Sequence, residues 1–168
     1  RRVRRLRPPA ATTSTGTVPV GRPGLVAAVA VAAATVDLVT KMIGSAALAD
    51  GPIELPGPLA LRLVHNPGVA FGRGRALPAA VTLGATALIA AVIAVMAARG
   101  MLGAPIAAGM VVGGALANVA DRFAGGTVVD LFDLGWWPTF NVADIFITTG
   151  AVLIVLTARD RPPPPPAP

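Results

Sequence analysis

Residues 128 to 144 read VVDLFDLGWWPTFNVAD. This stretch holds three of the chain's eight acidic residues, both tryptophans and a proline. An apolar run from Met101 to Ala120 precedes it, and another that continues to Ala158 follows. Carboxylates are expensive to keep beside hydrophobic spans, so acids clustered there mark a functional site by default. The sequence points to a paired-carboxylate site at a membrane edge, formed by Asp130 and Asp144.

Composition agrees with a membrane setting. Of the 168 residues, 54% are hydrophobic and only 13% charged, whereas soluble domains carry about 25% charged residues. Mean hydropathy is +0.72. With no cysteine, thiolate nucleophiles, thiolate metal sites and disulfides are excluded. A single histidine, His65, rules out the usual His-pair zinc motif, and no metal is expected. The net charge of +6 raises the question of nucleic acid. The arginines concentrate at the two ends of the chain, which suits membrane topology better than a binding face, so no nucleic-acid partner is expected.

The pattern predicts an all-α polytopic membrane protein, four transmembrane helices with a small extracytoplasmic β-platform. Residues 1–23 form an Arg-rich cytoplasmic leader with too little apolar surface to fold. The spans are placed at about residues 24–43, 76–98, 101–120 and 140–158. The platform occupies 44–75, an active-site loop 121–139, and a proline-rich cytoplasmic tail 159–168. The first apolar run could also serve as a cleavable signal peptide. Against that, Asp37 and Lys41 stand at i, i+4, share one helix face and can pair, which suits a retained helix near a polar site. With four spans, the leader, the Arg99 turn and the tail arginines share one side, which the positive-inside rule makes cytoplasmic. Trp136 and Trp137 then fit an interfacial aromatic belt on the other side. Asn66-Pro67-Gly68 is a turn signal.

Two Asn-x-x-Asp pairs bracket the loop, Asn118/Asp121 and Asn141/Asp144. Spacing i, i+3 is expected to set each Asn beside its own Asp, where the amide can donate to the carboxylate. Arg122 is expected to neutralise one acid, with Asp121-Arg122 read as a structural ion pair at a helix end. Two carboxylates brought close share a proton. One can then act as general base on a water while the other donates to a carbonyl. That is peptide hydrolysis without Ser, Cys or metal.

Four segments, VDLVTK (36 to 41), HNPGVAFG (65 to 72), GGALANVADR (113 to 122) and VVDLFDLGWWPTFNVAD (128 to 144), together resemble the lipoprotein signal peptidases, the type II signal peptidases of bacteria. The resemblance implies an aspartic endopeptidase of the cell membrane. Its substrates would be diacylglyceryl-modified prolipoproteins, cut just before the modified Cys, and it would need no cofactor. It implies Asp130 and Asp144 as the catalytic dyad. Asp37, Lys41, Asn66, Gly68, Phe71, Gly114, Asn118, Asp121, Arg122, Asn141 and Ala143 match other motif positions, as supporting or substrate-contacting residues. It also implies membrane lipid as a partner and inhibition by globomycin-type compounds. Ala117 departs from the pattern, standing where Gly is common. The leader and tail lie outside the resemblance.

Two other classes of function compete. Intramembrane acids also serve proton-coupled transporters, which predicts acids near the midplane and internal repeats. Here the acids of the loop lie near span ends and no convincing repeat is present. A non-catalytic scaffold binding partners through its tail would tolerate replacement of Asp130.

Overall fold

A computed structural model of the chain describes residues 22–68 and 79–159. The leader up to residue 21, the tail from residue 160, and Phe71, Arg73 and Arg75 lie outside the described residues. Among the described residues, four helices and three short strands follow in the order α1 (Pro23–Ala47), β1 (Ile53–Glu54), β2 (Ala60–Asn66), α2 (Ala79–Ala98), α3 (Pro105–Gly125), β3 (Val128–Asp133) and α4 (Val142–Arg159). Among the described residues, α1, α3 and α4 are long and apolar enough to cross a membrane. The apolar stretch attributed to α2, Gly84–Ala98, is shorter.

Punctuation in the sequence sets the helix ends. Pro23 and Pro105 open α1 and α3 in the first helical turn, where a missing N–H costs nothing. Helix α3 runs past Ala120 because no breaker intervenes before Gly125-Gly126. It ends when Gly126 turns left-handed, at φ 73°, and its N–H returns to the Arg122 carbonyl. Asp121 and Arg122 therefore sit on the last turns of a helix, not in a loop.

Helix α3 is the central post, packed against α1, α2 and α4. Its interfaces use small residues, as expected where lipid offers no hydrophobic drive for helix association. A Cβ on Gly113 would fall on the Ala30 carbonyl of α1, and one on Gly114 would lie 2.6 Å from the Ala143 oxygen of α4. A Cβ on Gly150 would lie the same 2.6 Å from the Ala107 carbonyl oxygen. The large apolar side chains point outward instead, among them Val31, Met42, Leu88, Ile106 and Val152. The most buried large side chains are Val111 and three polar ones, Asn141, Asp37 and Asp130.

The strands form one antiparallel sheet in the order β1-β2-β3. Its third strand comes from the acidic stretch itself, so the sheet joins the 44–75 connection to the 121–139 segment. Between β2 and β3, Val64 faces Asp130 and Asn66 faces Val128, with a register shift between Leu61 and Val64. Beyond β3, the chain leaves through a turn at Gly135 (φ 76°) and comes back. The Phe140 carbonyl accepts the Leu131 and Phe132 N–H groups at 3.0 and 2.9 Å, and the Phe140 N–H reaches the Phe132 carbonyl at 3.1 Å. This closure delivers Asn141 and the start of α4 beside Asp130.

Close approach at Gly113 should be intolerant of any side chain. Gly113→Ala is expected to lower stability by about 1–3 kcal/mol through forced separation of α1 from α3. The reference is Gly84→Ala, where the added methyl meets nothing within 4 Å and no loss is expected. Thermal midpoints of both variants in the same detergent check this.

Candidate active site

Asp130 is 2% exposed, on the central part of β3. Its Oδ2 accepts from Asn66 Nδ2 at 3.0 Å, and its Oδ1 from Asn141 Nδ2 at 2.8 Å. Sheet register explains the first bond. Asn66 lies two residues along from Val64, which faces Asp130, and so reaches the carboxylate diagonally on the same face. Gly68 completes an Asx turn, its N–H donating to Asn66 Oδ1 at 2.8 Å with φ 103°. That bond fixes which end of the Asn66 amide faces Asp130.

Asp144 sits in the first turn of α4. Its Oδ2 accepts the Asn141 backbone N–H at 3.2 Å, while Asn141 Oδ1 accepts the Asp144 backbone N–H at 3.0 Å. This reciprocal pair is a capping box. Asn141 therefore stands outside the helix as its N-cap, and the expected side-by-side placement on one helix face does not occur for this pair. Asp144 Oδ1 takes its amide donor from elsewhere, Asn118 Nδ2 on α3 at 3.0 Å. Asn141 Nδ2 also reaches Asn118 Oδ1 at 3.1 Å and the Val129 carbonyl at 3.3 Å. Asn141 thus binds both candidate carboxylates, one by its side chain and one by its backbone.

The first Asn-x-x-Asp pair is rearranged more deeply. Asn118 does not bond Asp121. Asp121 Oδ2 pairs with Lys41 Nζ at 2.7 Å and accepts the Val129 N–H at 3.2 Å. Arg122 forms no ion pair among the described residues; its Nη1 donates to the Asn118 carbonyl at 3.3 Å. The expected Asp121-Arg122 pair is replaced because Lys41 on α1 comes nearer. The Asp37-Lys41 pair forms as expected, at 2.6 Å, with both residues buried. Asp37 Oδ1 accepts the Ala143 N–H at 2.7 Å, so an acid of α1 caps the start of α4. Gly114 has no Cβ where Ala143 presses closest.

Of the residues singled out in sequence, Asp37, Lys41, Asn66, Asn118, Asp121, Asp130, Asn141, Ala143 and Asp144 join one hydrogen-bonded network. Gly68, Gly114 and Arg122 border it. Phe71 falls outside the described residues. Sequence reasoning missed an apolar cleft of about 440 Å³ beside Asp144, lined by Leu134, Trp136, Trp137, Phe140, Ile145, Thr148 and Thr149. The spacing of Ile145, Thr148 and Thr149 with Asp144, one face of a helix, was the available signal. Trp136 and Trp137 meet edge-on with ring centroids 5.7 Å apart.

Burial pushes the Asp130 carboxyl up from 3.8 to about 6, and the neighbouring Asp144 charge adds to the rise. The Asn66 and Asn141 amides and the more distant Lys41 charge oppose it. A carboxyl titrating near neutrality beside a second carboxylate can hold or release a proton at working pH. Among the described residues no cluster of His, Cys, Asp and Glu is arranged to hold a metal ion.

Comparison with known proteins identifies the family. The signal peptidase (SPase) II family matches residues 29–159. A lipoprotein signal peptidase of Rhodococcus jostii is 39% identical over 128 residues, 71% of this chain and 65% of the relative's length. That of Mycobacterium tuberculosis is 37% identical over 139 residues, 76% of this chain and 67% of the relative. The chain thus spans about two thirds of the length of these relatives. A solved structure of a bacterial membrane enzyme, obtained by the in meso method at 2.3 Å resolution, superimposes with a TM-score of 0.68 and 26% identity. The superposition covers 84% of this chain and 94% of that one. By residues matched and by fold, the chain is a membrane protein that belongs to the signal peptidase II family.

Proposed function

We propose that the protein is an aspartic endopeptidase of the bacterial cytoplasmic membrane that removes signal peptides from prolipoproteins. The cut would fall just before the diacylglyceryl-modified Cys. The observation that carries this reading is Asn141, which hydrogen-bonds Asp130 through its side chain and Asp144 through its backbone. Two acids held by one residue, one of them lining an apolar cleft, are suited to splitting an amide with water alone.

In this mechanism Asp130 carries the shared proton, in keeping with its burial, and donates it to the scissile carbonyl oxygen. Asp144 stands where a helix N-terminus favours negative charge. It takes a proton from the attacking water, whose oxygen bonds to the carbonyl carbon. The tetrahedral intermediate collapses as that proton passes to the leaving nitrogen and one of its hydroxyls returns a proton to Asp130, which restores the dyad with no acyl-enzyme formed. The cleft below Asp144 receives an apolar part of the substrate, while the lipid tails stay in the bilayer and hold the Cys end near the acids. Transport by proton relay is disfavoured by the family match.

The same reading takes α2 as a fourth crossing. The sheet, the dyad and the tryptophans then lie on the extracytoplasmic side, with both termini cytoplasmic. It divides the chain into a leader (1–23), a peptidase domain (24–158) and a tail (159–168). The same reading expects inhibition by globomycin-type compounds.

Purified enzyme should cleave a diacylglyceryl-modified prolipoprotein, and Asp130→Asn and Asp144→Asn should each lose about 10³-fold or more of kcat while staying folded. Asp133→Asn serves as the acid control, because Asp133 pairs with Arg62 at 3.0 Å on the sheet and should retain activity. Near-full cleavage by either dyad variant overturns the assignment.

The raised Asp130 carboxyl also sets a stability trend. The folded state holds this proton more tightly than the unfolded chain does. The contribution is therefore fully present below pH 3.8 and is lost as pH rises through about 6. The loss amounts to about 3 kcal/mol at most. Thermal midpoints of wild type should fall across that window relative to Asp130→Asn, which lacks the titration.

A further inference from the structure

Lys41 touches neither candidate acid directly, yet three routes lead from its ammonium to the dyad. Through Asp37, the route runs from Oδ2 at 2.6 Å to Oδ1, which holds the Ala143 N–H at 2.7 Å. Ala143 immediately precedes Asp144. Through Asp121, it runs by Oδ2 at 2.7 Å to the Val129 N–H at 3.2 Å. Val129 immediately precedes Asp130. The third route passes through Asn118, whose Oδ1 accepts from Lys41 at 3.1 Å and whose Nδ2 donates to the Asp144 carboxylate at 3.0 Å.

The geometry points to Lys41 as the positioning residue that sets the separation and alignment of Asp130 and Asp144. This inference rests on the aspartic reading proposed above. The Lys41 ammonium donates a hydrogen bond to Asn118 Oδ1 and forms ion pairs with Asp37 and Asp121. At 4% exposure Lys41 has nothing left to offer a substrate. Its three arms reach the backbone just before Asp144, the backbone just before Asp130, and the side chain of Asp144. Direct contacts on α1 and α3, extended through them to β3 and α4, connect the cation to both elements that carry the acids. A buried ion pair alone is weak evidence for stability, since apolar packing of like volume often does as well. What apolar packing cannot supply is a common origin for two separate backbone positions.

The charged groups around Lys41 are Asp37 on α1, Asp121 and Arg122 on α3, Asp130 on β3 and Asp144 on α4. Removing the cation leaves the four acids without an ion-pair partner among the described residues. The dyad should then keep its proton to higher pH.

The test compares wild type, Lys41→Met, Lys41→Arg, Asp130→Asn and Asp144→Asn in detergent, with a diacylglyceryl-modified prolipoprotein as substrate. Lys41→Met is expected to lose about 100-fold in kcat with KM little changed, as misplacement of catalytic groups predicts. The acid limb of its kcat/KM profile should move to higher pH. Lys41→Arg should fail to restore kcat, because a planar fork does not reproduce one compact charge contacting three divergent oxygens. If Lys41→Met does not fold, Lys41→Met/Asp37→Asn/Asp121→Asn removes the stranded charges. Its thermal midpoint should recover while kcat stays at least tenfold down, roughly the lower bound for a lost positioning contact. Wild-type kcat and pH profile in either Lys41→Met background, with the two dyad variants inactive, would overturn the positioning role and leave the dyad standing. Cleavage by the dyad variants would sink the aspartic reading itself.

Discussion

A carboxylate withdrawn from water must find donors, and the architecture of this protein follows from that requirement. Asp37 and Asp130 are almost wholly buried, and Asp121 and Asp144 partly so. Their donors are one ammonium, three asparagine amides and three backbone N–H groups. Each amide is oriented by a contact to its own oxygen. Gly68 N–H does this for Asn66, the Asp144 N–H for Asn141, and Lys41 for Asn118. No amide can turn over without placing an oxygen against a carboxylate, so the network admits one arrangement.

The helices answer a different constraint. Lipid makes no distinction between one apolar surface and another, so contact between helices has to come from closeness. Glycines of α3 and α4 meet carbonyls of their neighbours where even a methyl group would not fit. The result inverts the usual plan of a water-soluble domain, with large apolar residues outside and a polar knot at the deepest point. Close packing also holds that knot still. Gly114 lies against Ala143, the residue Asp37 caps, so backbone approach and hydrogen bonding act on the same turn of α4.

Much of this was legible in the sequence, and the rest was hidden for identifiable reasons. Apolar runs interrupted by Pro and Gly announced the helices, whereas the Val128 segment, expected within a loop, forms a strand. The Asp37-Lys41 pair followed from helical spacing alone. Asn141-x-x-Asp144 was visible as a pair, but it precedes an apolar run after Pro138 and so reads better as a capping box than as one helix face. The partner exchange between Asn118 and Asp144 could not be read locally. It depends on which face α3 turns toward the start of α4. Lys41 reaching Asn118, 77 residues away, likewise depends on how α1 crosses α3. Short-range periodicity identifies faces but not the partners those faces meet.

The paired backbone bonds between Phe132 and Phe140 have one more consequence. They close the tryptophan-bearing turn at its base, so the distance between the two acids does not depend on how much chain the turn contains. Chain length there is mechanically decoupled from dyad geometry. The segment from Asp133 to Thr139 can be lengthened, shortened or exchanged during evolution or by splicing, reshaping the wall of the cleft while the chemistry beneath keeps its dimensions.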